Sequence, residues 1–179
     1  MIASLLYLTV GQPDIAFSVG VCARFQSNPK ESHLNAIKRI IKNVSGTCDF
    51  GLFYSKESNA SLAGCLDADW ASNADERKST TGECFYVGTN LVAWMSKKQN
   101  SVFLSTAEAE YIAIGSCCSQ LLWMKKFLAD YGLSQETMVV YFDNSSAIDI
   151  FKNPVQHSKT KHIEIRYYFI RDLVEDHCR

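Results

Sequence analysis

Three acidic residues stand where carboxylate chemistry would need them: Asp67, Glu110 and Asp143. Asp67 lies within the run Leu66-Asp67-Ala68-Asp69-Trp70, inside a segment whose composition predicts a strand over Leu62–Asp69. A carboxylate in an apolar central strand is costly to bury unless something positive pairs with it. Asp143 closes the compact apolar segment Met138–Phe142 and precedes a helical stretch, so local sequence supports a helix N-cap as readily as a chemical role. The third acid must be chosen between Glu108 and Glu110, which lie about 200° apart around a helix and face opposite ways. Glu110 shares its stripe with Ile114, Cys117 and Leu121, whereas Glu108 lies with Ile112, Gly115 and Ser119. The pattern therefore points Glu110 at the sheet. An Asp on a first strand, a Glu on the helix after a meander and an Asp ending a fourth strand can converge on one spot. Hard oxygen donors of this kind suit Mg²⁺, with Mn²⁺ as an alternative. Two such ions could activate water and stabilise the leaving oxygen in phosphodiester cleavage.

Positioning those acids requires an α/β scaffold, and the periodicities supply one. Strands are expected over Leu62–Asp69, Gly82–Val87 and Leu91–Ser96, the last two joined by Gly88-Thr89-Asn90, which suits a hairpin. A long helix follows from about Thr106 to Tyr131, with Ala107, Tyr111, Ile114, Cys118, Leu121 and Leu128 on one face and Gly132 as its stop. The strand at 138–142, a short helix through Ala147 and Ile148, and a last helix from about Lys161 to Glu175 complete the order β-β-β-α-β-α-α.

The first fifty residues read as helical instead. Met1 to Thr9 forms an apolar core helix, and Pro13 opens a helix running to about Phe25. A third helix, with Leu34, Ile37, Ile41 and Val44 as its apolar face, stops at Gly46. Leu52, Phe53 and Tyr54 make a short strand candidate, and the polar run Ser55 to Asn59 is the expected boundary.

Composition narrows the function classes. At 179 residues and 47% hydrophobic, the chain can bury a core. A net charge of −1 argues against a tail-like basic nucleic-acid binder, though an enzyme needs only a local basic track beside its acidic site. Seven cysteines without regular spacing suit reduced intracellular thiols better than a disulfide framework or a zinc site. No uninterrupted apolar stretch is long enough for a membrane span, so no membrane partner is expected.

Six ordered runs now become specific: D-A-D-W-A (67–71), R-K-S-T-T-G (77–82), W-M-S-K-K-Q (94–99), S-T-A-E-A-E-Y-I-A (105–113), D-N-S-S-A-I (143–148) and N-P-V-Q-H-S-K-T-K-H-I (153–163). In order and spacing they resemble the ribonuclease H domain of copia-type retrotransposon Pol polyproteins. S-L-L-Y-L-T (4–9) and P-D-I (13–15) resemble the end of the preceding reverse transcriptase. The resemblance implies a ribonuclease H-like three-layer fold, with an antiparallel three-strand meander, a parallel fourth strand and flanking helices. It implies two domains: 1–58, the C-terminal fragment of the reverse transcriptase or connection region, and 59–179, the ribonuclease H-like domain lacking its C-terminal end. It further implies two-metal-ion hydrolysis of RNA in RNA–DNA hybrids, inside the cell, in company with the rest of the polyprotein.

By the same resemblance Asp67, Glu110 and Asp143 are three of the four catalytic, metal-binding acids. Asp69, two residues on and on the same strand face, is a secondary candidate. His162 could assist proton transfer or product release, with a surface role as the plainer reading. Arg77, Lys78, Lys97 and Lys98 could contact phosphates or form a solvated charged loop. Trp70 and Trp94 read as core residues. Family members continue into an A-D-I-F-T-K-like helix bearing a fourth acid, whereas this sequence ends at Asp176-His177-Cys178-Arg179. The alternative reading is therefore a truncated, catalytically inactive relic. An integrase-type transferase would need the order Asp…Asp…Glu, and a plain scaffold would leave Asp67 unexplained.

Overall fold

The computed structural model describes residues 1–56, 58–71, 77–134 and 137–144. They fall into two compact units, one comprising Met1–Phe53 with Met95–Lys97, the other Tyr54–Trp94 with the residues from Lys98 onward. The expected helices near 147 and over 161–175 lie outside the described residues.

The first unit is helical. It contains α1 (Ile2–Leu8), a 3-10 turn opened by Pro13 (Pro13–Ile15), α2 (Ala16–Ala23) and α3 (Glu31–Gly46). Proline suits that position because its missing N–H falls where a helix has no acceptor for it. The core is small: Leu5, Ile15, Val19, Cys22, Ile37 and Ile40. Two expectations need correction. α1 buries only Leu5 and leaves Tyr7 79% exposed, so it is not a core helix. On α3 the buried stripe runs through Ile37 and Ile40, and Leu34 and Ile41 face outward. Both lie at the border of an apolar sector about 100° wide, where periodicity alone does not decide the side. The candidate strand at 52–54 does not form.

The chain also forms a four-stranded sheet in the order β3-β2-β1-β4, which belongs to the second unit except for Met95–Lys97. Its strands are β1 (Leu62–Asp69), β2 (Thr80–Val87), β3 (Asn90–Lys98) and β4 (Met138–Tyr141). β1 pairs antiparallel with β2 and parallel with β4. This is the α/β arrangement that the motifs implied, a meander plus a parallel fourth strand.

Alternation sets the faces. Leu62, Leu66 and Ala68 of β1 and Phe85 of β2 enter a core closed by α4 (Thr106–Asp130), which contributes Tyr111, Ile114, Cys117, Cys118 and Leu121. Strand and helix approach closely at Gly64, where a Cβ would lie 2.5 Å from Cys117 Sγ. Ser105 caps α4 by accepting from the Glu108 N–H at 3.2 Å, and the Glu108 carboxylate accepts from the Leu104 N–H at 2.9 Å. The helix ends as expected: Gly132 adopts φ +76° and the Leu133 N–H donates to the Leu128 carbonyl at 3.0 Å. Leu62, Ile114, Leu121 and Met138 are fully buried. At about 1.5–3 kcal/mol each, they can offset the cost of one buried acid.

Candidate metal centre

Strand register brings the two aspartates together. The parallel pairing runs from Leu62↔Met138 to Cys65↔Tyr141. Continued two residues, it sets Asp143 alongside Asp67. Asp67 alternates with the core-facing Leu66 and Ala68, so its carboxylate stays exposed at the rim of the core. Glu110, one turn into α4, is buried and reaches the same place from the helix. One carboxylate oxygen from each of the three acids lies within 4.8 Å of the others.

That gathering is electrostatically unfavourable without a cation, and Glu110 carries the strain. Burial pushes its carboxyl up from the ordinary carboxylate range; a hydrogen bond from Asn144 pulls the other way, and the charges of Asp143 and Asp67 raise it further. Asn144 Nδ2 donates to Glu110 Oε1 at 3.0 Å, whereas Glu110 Oε2 is buried with no hydrogen-bond partner among the described residues. A buried carboxylate with one oxygen lacking a donor, in a cluster with two further carboxylates, fits a hard divalent cation. The three acids are the residues that would hold it.

The remaining candidates separate. Glu108 is spent on capping α4. Asp69 is exposed on the same strand face as Asp67 but falls outside the cluster. Arg77 and Lys97 are exposed, Lys78 and Lys98 half-buried. All four belong to the end of the sheet that carries the acids, because Asp69 pairs with Thr80 and the Gln99 N–H donates to the Ser79 carbonyl at 2.9 Å. Arg77 adopts a left-handed backbone, φ +54°. His162 lies outside the described residues.

Trp70 corrects the sequence reading. It is 43% exposed rather than a core residue, and its indole N–H donates to the Phe103 carbonyl at 3.1 Å. An indole needs its N–H satisfied, and a turn at the strand end reaches that acceptor without burying the ring.

Two contributors escaped the sequence reading. Asn144 follows Asp143 directly and braces Glu110. Gln99, 8% exposed, donates from Nε2 to Thr81 Oγ1 at 2.8 Å and to the Ala109 carbonyl at 2.9 Å. Their presence in the D-N-S-S-A-I and W-M-S-K-K-Q runs was the only signal available.

Among the described residues no helix is long and apolar enough to cross a membrane. No family model matches the chain. Over 176 residues, 98% of its length, it is 44% identical to the retrovirus-related Pol polyprotein from transposon TNT 1-94 of Nicotiana tabacum. Over the same share it is 39% identical to the retrovirus-related Pol polyprotein from transposon RE1 of Arabidopsis thaliana. It spans 13% and 12% of those relatives' own lengths. Among solved structures it is similar to LC11-RNase H1, isolated from compost, with a TM-score of 0.49 and 14% identity over 65% of this chain and 76% of that one.

Proposed function

The chain belongs to the copia-type retrotransposon Pol polyproteins, as one segment of them, and from that premise we propose that it is a ribonuclease H-type endonuclease cleaving RNA in RNA–DNA hybrids during reverse transcription. In this reading residues 1–58 close the reverse transcriptase and 59–179 form the ribonuclease H domain. The observation that carries the proposal is the convergence of Asp67, Glu110 and Asp143, one carboxylate oxygen of each lying within 4.8 Å of the others.

Asp67, Glu110 and Asp143 are the residues that would bind Mg²⁺, as a pair of ions. When bound, the metal supplies Lewis-acid polarisation of a phosphodiester and a lowered pKa for attacking water. The protein's own work is to hold the acids. β1 and β4 fix the spacing of the aspartates, α4 brings Glu110, and Asn144 holds Glu110 by a hydrogen bond to one of its oxygens. Arg77, Lys78, Lys97 and Lys98, at the same end of the sheet, offer contacts to the hybrid's backbone. Recognition through phosphates and duplex shape needs no base-specific residues.

The test is hybrid cleavage with Mg²⁺ by a Pol polyprotein carrying this segment. Asp67→Asn is expected to lower the rate by about 10³-fold or more, since a lost ion ligand removes several kcal/mol of transition-state stabilisation. Unchanged cleavage by the variant would show that other residues do the work.

A further inference from the structure

We infer that Gln99 is a positioning residue for the metal centre, holding the peptide unit from which Glu110 springs in register with the strand that carries Asp67. The inference rests on the functional reading above, but a different set of atoms carries it. Gln99 follows β3 and is buried. Its Nε2 makes two hydrogen bonds, to Thr81 Oγ1 at 2.8 Å and to the Ala109 carbonyl at 2.9 Å. That carbonyl belongs to the peptide bond whose nitrogen is Glu110's. Thr81 pairs with Ala68, the residue immediately after Asp67. One planar amide therefore ties the helix acid and the strand acid to the same reference.

The geometry asks for an amide at this position. An α-helical carbonyl already accepts from the N–H four residues on, and its second lone pair is free for Gln99. A side chain present only to fill space would be Leu or Met, which bring similar volume and no polar atoms. Gln99 instead buries its Oε1 without a hydrogen-bond partner among the described residues, a cost that apolar packing would avoid. Its backbone is fixed too, by the hydrogen bond from its N–H to the Ser79 carbonyl at 2.9 Å. The side chain thus starts from a fixed base and ends on two fixed acceptors. The backbone from which Glu110 springs is thereby held relative to the strand that carries Asp67.

The consequence is a metal affinity that depends on a residue with no contact to the metal. Residues that orient ligands typically change metal affinity by about 10–100-fold when lost. The test is Mn²⁺ titration of the 179-residue chain, followed through the electron paramagnetic resonance signal of free Mn²⁺. Melting is recorded in parallel by circular dichroism. The unaltered chain, Asp67→Asn, Gln99→Leu and Thr81→Val are compared. Gln99→Leu is expected to weaken Mn²⁺ binding by about 10-fold or more while remaining folded. Thr81→Val, which frees one end of the amide and leaves the Ala109 bond, is expected to weaken it by a smaller factor. A lowered melting temperature with unchanged Mn²⁺ affinity in Gln99→Leu would mean a purely structural role and would overturn the inference. If Gln99→Leu does not fold, Thr81→Val decides, and unchanged affinity there overturns it equally. Loss of binding in Asp67→Asn alone would sink the role of Gln99 and keep the site. No Mn²⁺ binding by the unaltered chain would overturn the site itself, and this inference with it.

Discussion

The two ends of the sheet are held together by opposite means. At the β2–β3 turn the polar groups find partners within the protein. The Gly88 N–H donates to the Ser61 carbonyl at 2.7 Å and the Thr89 N–H to Ser58 Oγ at 2.7 Å. Asn90 exchanges two hydrogen bonds with the Ser55 backbone, at 2.7 and 3.0 Å. At the other end three carboxylates meet, one buried, its pKa raised and one of its oxygens without a donor. The turn end is complete as protein. At the acid end one carboxylate oxygen finds no donor among the described residues, and that contrast is what directs the proposed chemistry to this end.

The contrast is open to direct attack. The largest effect belongs to Gly88→Val. A Cβ there would lie 1.9 Å from Ser58 Oγ and 2.2 Å from the Asn59 carbonyl oxygen, at φ +60°. The substitution is expected to cost about 3 kcal/mol or more in urea unfolding, from clash and left-handed strain together. A β-branched residue tolerated at that turn would refute the tight clamp. Next comes the acid end. Mg²⁺ at about a hundredfold its dissociation constant is expected to add about 2.7 kcal/mol to the unaltered chain. Glu110→Gln should lose most of that gain, and equal stabilisation of both chains would place the ion elsewhere.

Asn90→Ala removes both hydrogen bonds to Ser55 and is expected to cost about 1–2 kcal/mol while leaving Mg²⁺ affinity unchanged. A change in that affinity would show that the two ends are not independent. The smallest effect is a pH slope in metal-free buffer. Because the folded-state pKa of Glu110 lies above its unfolded value, the folded chain keeps a proton that the unfolded chain releases. Stability from this group is therefore present below the unfolded carboxylate range and lost as pH rises through the folded pKa. Unfolding across roughly pH 4–7, compared between the unaltered chain and Glu110→Gln, isolates the slope. A variant that keeps the slope would clear Glu110 of the strain.

What the sequence made legible was whatever repeats along one element. The strand Leu62–Asp69 was expected with the bounds that β1 has. The choice of Glu110 over Glu108 follows from helical rotation, and burial agrees with it. Features that depend on a partner far along the chain were opaque. Asn144 reaches a carboxylate 34 residues back, and Gln99 reaches one acceptor 18 residues earlier and another 10 residues later. The run Leu52-Phe53-Tyr54 has strand composition, but a strand exists only by pairing, and Asn90 takes the adjacent Ser55 backbone with its side chain instead. Trp70 was read as core because large aromatics usually are, and only the Phe103 carbonyl explains how its ring stays outside.

The parallel pairing of β1 with β4 also sets a timetable. β1, β2, β3 and α4 leave the ribosome in that order, and their contacts join neighbours or near neighbours in the chain. β4 must travel back across α4 to lie against β1, closing a loop of roughly 75 residues, the kind of contact that forms late. Asp67 and Glu110 therefore share a nascent assembly for on the order of seconds before Asp143 is even synthesised. Through that interval the growing chain carries two of the three carboxylates that converge in the folded structure. The third acid arrives last, with the fourth strand of the described sheet.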